Sequence, residues 1–75
     1  MSQLEKLIEK MRQSKTDVRF TDLEQILIHS GYARIRQKGS HVHFRKQDAP
    51  LITIPIHKNK VKSVYTKEII KLLGI

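Results

Sequence analysis

The stretch Arg34-Ile35-Arg36-Gln37-Lys38-Gly39-Ser40-His41-Val42-His43-Phe44-Arg45 reads as two alternating runs around a turn. Alternation of apolar and polar residues is the period of a half-buried strand, and Gly39-Ser40 between the runs is a turn signal. The stretch is therefore a predicted β-hairpin, with Val42 and Phe44 turned towards a core. Strand parity then sends His41, His43 and Arg45 to the opposite face. With every helix on the other side, that face meets water, beside Arg34, Arg36 and Lys38.

The flanks supply the rest of an α+β fold. Gln47-Asp48-Ala49-Pro50 makes a second turn. Residues 51–56 are rich in β-branched side chains, with Ile52, Ile54 and Ile56 sharing one side. Pro55 cannot donate to a ladder, so this third strand is predicted to end there or lie at an edge. His57 to Lys62 reads as a basic loop. Upstream, Leu4, Leu7, Ile8 and Met11 fall at i, i+3, i+4 and i+7, the stripe of an amphipathic helix. Residues 13–19 form a polar connector. Thr21 with Glu24 has the spacing of a capping box, which predicts a second helix from Asp22. Leu23, Ile26 and Leu27 are its apolar side and Gly31 its stop. Downstream, Tyr65, Ile69, Leu72 and Leu73 predict a closing helix, with Ser63 as N-cap and Gly74 as stop. The expected order is α-α-β-β-β-α: a three-stranded antiparallel sheet with helices packed on one face.

Seventy-five residues are read as a single domain with a thin core. Cysteine is absent, which excludes disulfides and thiolate metal sites. No run resembles a secretory signal or approaches the ~20 apolar residues of a membrane span, so the expectation is a cytoplasmic protein without a membrane role. The formal net charge is +8, from 15 Lys and Arg against 7 Asp and Glu. Residues 1–32 are neutral and residues 33–75 hold the whole excess. So one-sided a charge exceeds what solubility asks and points to a polyanion, above all nucleic acid.

His41 and His43 carry three readings. They are tolerated surface residues; or, with His57, a His-only metal site, which the surrounding Lys and Arg disfavour by repelling a divalent cation; or one imidazole acts on a polyanion. Neighbouring cations disfavour imidazolium and so favour a neutral ring able to act as base. Such a base suits RNA, whose 2′-hydroxyl is an internal nucleophile that DNA lacks. His57, at a strand end, and His29, on the second helix, read as structural. Phe20, Tyr32, Phe44 and Tyr65 read as core, so nucleic-acid contact is expected to be mainly to the backbone.

The string Arg36-Gln37-Lys38-Gly39-Ser40-His41, with Val42-His43-Phe44-Arg45 after it, resembles the HicA family of type II toxin–antitoxin systems. Gly31-Tyr32, Thr53-Ile54-Pro55 with His57, and Leu72-Leu73-Gly74-Ile75 extend the likeness over residues 20–75, leaving 1–19 as an extra helix and connector. The resemblance implies a fold like the double-stranded-RNA-binding domain and ribosome-independent mRNA cleavage. It also implies His41 as the essential residue, no cofactor or metal, and a HicB-type antitoxin that binds and masks the toxin in a hetero-oligomer. The expected activity is thus a metal-independent endoribonuclease with His41 as general base. Arg34, Arg36, Lys38, Ser40, His43, Arg45 and Lys58 are the expected RNA contacts. A non-catalytic RNA-binding module and a module for an acidic protein partner are the alternatives. The extra helix is open to three roles: packing, antitoxin contact or self-association.

Overall fold

The computed structural model describes residues 3–75. Its elements are α1 (Gln3–Gln13), β1 (Val18–Arg19), α2 (Phe20–His29), β2 (Ala33–Lys38), β3 (His41–Arg45), β4 (Ile52–Pro55), β5 (Lys60–Val61) and α3 (Ser63–Leu73). The strands β2, β3 and β4 form an antiparallel sheet in that order, so β3 is central. Pro55 closes an edge strand, where its missing N–H costs no ladder bond. The architecture is the α+β arrangement that the sequence predicts.

One core unites the elements. Val42, Phe44, Ile52 and Ile54 on the sheet are buried together with Phe20, Leu23, Ile26 and Leu27 of α2 and Ile69 and Ile70 of α3. α2 ends as Gly31 predicts: at φ 95° it lets Gly31 N–H reach Ile28 O and Tyr32 N–H reach Leu27 O. Those two bonds satisfy carbonyls that the helix end leaves orphaned. Gly74 does the same for α3 at φ 73°. The connection also brings Tyr32 into the core, where its hydroxyl donates to Pro50 O.

Four expectations are corrected. α2 begins at Phe20, with Arg19 as N-cap and no side-chain cap bond, so Thr21 and Glu24 make no capping box. Phe20 is buried and its N–H donates to Asn59 O, which anchors the start of the helix two residues earlier. At α3 the N-cap is Lys62, again without a side-chain bond, and Ser63 is already helical. The buried stripe of α3 is rotated from the predicted one: Thr66, Ile69 and Ile70 face inwards while Tyr65 and Leu72 are exposed. Thr66 is tolerated there because its hydroxyl donates to Lys62 O. Finally, the basic loop is a hairpin. His57 and Lys60 exchange two backbone bonds around Lys58-Asn59, both with positive φ. β5 then pairs with β1 and buries Val61.

α1 packs on α2 and α3. It contributes Met11 fully, and Leu4, Leu7 and Ile8 partly, to the common core. Of the three roles left open for this helix, packing is visible. Met11→Ala should destabilise the fold by about 2–5 kcal/mol. A lowered urea midpoint with unchanged slope is the expected result, and an unchanged midpoint would contradict the shared core.

Candidate active site

The turn at Gly39-Ser40 fixes the site. Only two residues separate Lys38 from His41, and Gly39 takes φ 59° without strain. Lys38 therefore lies directly opposite His41, and Pro55 flanks His41 on the other side. Two residues along β3, His43 lies between Arg36 and Thr53. Directly opposed residues share a face, with Cβ atoms about 4.5–5.5 Å apart. The face away from the core thus carries Lys38 with His41, then Arg36 with His43 and Thr53, then Arg45. His41, Lys38, Arg36 and Arg45 are exposed, and His43 is half-buried.

The two imidazoles differ in their surroundings. His43 Nδ1 and Thr53 Oγ1 lie 2.9 Å apart in a hydrogen bond across the β3–β4 ladder. A side-chain bond of that kind fixes the ring plane and leaves Nε2 as the free nitrogen. His41 stands at the start of its strand, at the hairpin turn, open to solvent.

Arg34 is not on this face. Between Arg34 and Arg36 the ladder slips by one residue: Arg34 opposes Phe44, while Arg36 opposes His43. The bulge reverses parity, so Arg34 shares the helix-side face with Phe44 and Val42. There its guanidinium sits 5.7 Å from the Phe20 ring centroid and 3.4 Å from Glu24, and it bonds Gln37. Gln37 in turn donates to Gly39 O. The expected grouping of Arg34 with Arg36, Lys38 and Arg45 is corrected on this ground. Ile35, the extra residue, is 52% exposed. Nothing in the Arg34–Lys38 alternation signals the slip.

Ser40 and Lys58 lie round the edge. With Arg34, Gln37, Glu24 and Asn59 they line a groove of about 400 Å³ beside the start of α2. The groove adjoins the hairpin turn, because Ile56 N–H donates to Ser40 O at 2.7 Å. His57 holds the neighbouring tight hairpin by its backbone, and its side chain is exposed. His29 is exposed in the last turn of α2, outside the sheet. Among the described residues no three His, Asp or Glu side chains gather as metal ligands, so His41, His43 and His57 do not form a ligand set.

Residues 20–75 match the profile of the family described as HicA toxin of bacterial toxin–antitoxin. This chain belongs to the HicA toxin family. Neither a curated protein nor a solved structure matches it significantly. The HicA match begins at Phe20, so α1 and β1 lie outside it. Membership makes the protein a toxin of a toxin–antitoxin pair, and the pair implies an antitoxin as partner. No helix among the described residues is long and apolar enough to cross a membrane.

The bulge separates two arginines that the sequence presents alike. Arg34→Ala should lower stability by roughly 1 kcal/mol, from a lost cation–π contact and a half-exposed ion pair. Arg36→Ala should stay within about 0.5 kcal/mol of wild type. Denaturant titration of the two variants checks this; equal losses would contradict the shifted register.

Proposed function

We propose that this HicA toxin is an endoribonuclease that holds RNA on the outer sheet face and cuts it with His41 as general base. The observation that carries the reading is His41 itself: solvent-open, directly opposite Lys38, on a face whose other charges are Arg36 and Arg45. A neutral imidazole there takes the proton of a 2′-hydroxyl, and the freed oxygen attacks the adjacent phosphorus. Lys38 and Arg36 stand where charge accumulates on the phosphorane oxygens. Arg45 extends the phosphate track along β3. Ser40 and Lys58 continue it round the turn into the edge groove, where Arg34 adds charge from the helix side. His43, the next outward residue on β3, lies about 6.5–7 Å along the strand, within reach of the same phosphate.

No metal is invoked in this scheme, and one base of this kind contributes about 10²–10⁴-fold. The toxin is then a slow nuclease acting on mRNA in the cytoplasm, which suffices when the consequence is arrest of translation. A HicB-type antitoxin fits as an acidic partner that covers the cationic face and so denies it to RNA.

The test compares wild type and His41→Ala on labelled RNA with a chelator present. Cleavage is expected from wild type and absent from the variant, while both bind RNA. A substrate with a 2′-deoxy residue at the cut site should survive. Affinity should fall steeply with salt, and Arg36→Ala should reduce the salt slope by about 1. Wild-type protein that binds RNA and never cuts it would make this a binding module instead. Undiminished cleavage by His41→Ala would remove the assigned base.

A further inference from the structure

Attack by a 2′-oxygen is half of the reaction. The bond from phosphorus to the 5′-oxygen must also break, and the departing alkoxide needs a proton. We infer that His43, oriented by Thr53, is the acid that supplies it; the inference rests on the His41 reading above.

Three observations support the assignment. His43 follows His41 on the same face of β3, one outward position along, a spacing that puts both rings within reach of one phosphodiester. Its ring is fixed through Nδ1 by Thr53 Oγ1 at 2.9 Å, which leaves Nε2 as the nitrogen free to meet a ligand. The partner is also a hydroxyl. A hydroxyl accepts from Nδ1–H in the imidazolium and equally in the neutral ring left when Nε2 has given up its proton. It therefore holds the ring in either protonation state, as a group that gives up and regains a proton requires. A carboxylate in that place would instead favour imidazolium throughout.

The step balances without a further reagent. Neutral His41 takes the 2′ proton, the 2′-oxygen–phosphorus bond forms and the phosphorus–5′-oxygen bond breaks. Nε2–H of the His43 imidazolium passes to the 5′-oxygen. The products are a 2′,3′-cyclic phosphate and a 5′-hydroxyl end, and the two histidines have exchanged protonation states. Proton exchange with solvent restores both. The groups facing His43 are His41 and Arg45 from its own strand, Arg36 from β2 and Thr53 from β4, with Lys38 diagonal to it. The bound phosphate offsets these cations while the imidazolium is needed. Thr53 acts through the ring and is a positioning residue.

A leaving group of low basicity isolates the acid. RNA with a 5′-bridging sulfur at the scissile phosphate expels a thiolate, which needs no proton. On ordinary RNA, wild-type rate should fall at low pH, as the base is protonated, and at high pH, as the acid is lost. On the sulfur substrate the high-pH fall should vanish. His43→Gln should lose about 10²-fold or more on ordinary RNA and under about tenfold on the sulfur substrate. His41→Ala should be inactive on both. Thr53→Val should lose about tenfold on ordinary RNA alone, with Thr53→Ser restoring it. If wild type needs His41 but keeps its high-pH fall on the sulfur substrate, or His43→Gln suffers equally on both substrates, His43 is not the acid and the base assignment stands. If wild type cuts neither substrate, or His41→Ala cuts both normally, the underlying nuclease reading fails first.

Discussion

Burial of Val42 and Phe44 is the constraint from which the site follows. Both are wholly inaccessible, Phe44 against Phe20 with ring centroids 6.2 Å apart. A strand has period two, so satisfying those two side chains leaves no choice for the residues between and beside them. His41, His43 and Arg45 are driven out by the same packing that holds the sheet to the helices. The Gly39 turn adds the second coordinate by pinning Lys38 opposite His41. A one-residue slip would bury two imidazoles and expose a phenyl ring, so the hydrophobic core protects the polar face against misregistration.

The bulge at Ile35 shows a local departure serving both layers. Without it, Arg34 and Arg36 would stand side by side among the outer cations, and Ile35 would point at the core. With it, Arg34 crosses to the helix side, spans the Phe20 ring and meets Glu24. The exchange leaves β2 with no buried side chain. It gains a polar tie from α2 through Gln37 to the Gly39 carbonyl, the turn that sets the site. One arginine thus steadies the hairpin while its neighbour is left free on the outer face.

Legibility followed the strength of the local period. β3 and β4 read directly, because alternating β-branched and aromatic residues admit one parity. Gly31 and Gly74 marked their helix ends because a positive φ there is a backbone requirement. Two-residue elements were beyond any periodic reading: Val18–Arg19 and Lys60–Val61 exist through each other, and neither has a pattern of its own. The phase of α3 was missed because Thr66 looks polar and Tyr65 apolar. Tertiary packing reversed that ranking once the hydroxyl had found the Lys62 carbonyl. At the site, His41, His43, Lys38, Arg36 and Arg45 were placed on one face by parity alone. Arg34 was not, since a bulge is a property of the pair of strands. Thr53 was read only as part of a family-like string, because its pairing with His43 is a cross-strand register, visible only when β4 is laid against β3.

What the outer face lacks bears on how a substrate would be chosen. The sequence holds four aromatic residues. Phe20, Tyr32 and Phe44 are buried in the core, and Tyr65 is exposed on α3. None is left for the outer face of the sheet, whose flat rings are the imidazoles of His41 and His43 alone, so under the proposed function its cations engage phosphates, which are alike in any sequence. Under the proposed mechanism, discrimination then passes from binding to chemistry. The 2′-oxygen must line up behind phosphorus, opposite the departing 5′-oxygen. A stacked A-form strand holds its backbone away from that line, whereas an unpaired strand turns into it readily. A charged, featureless sheet would bind both and cut the flexible one, so selectivity for unstructured message needs no base-reading surface at all.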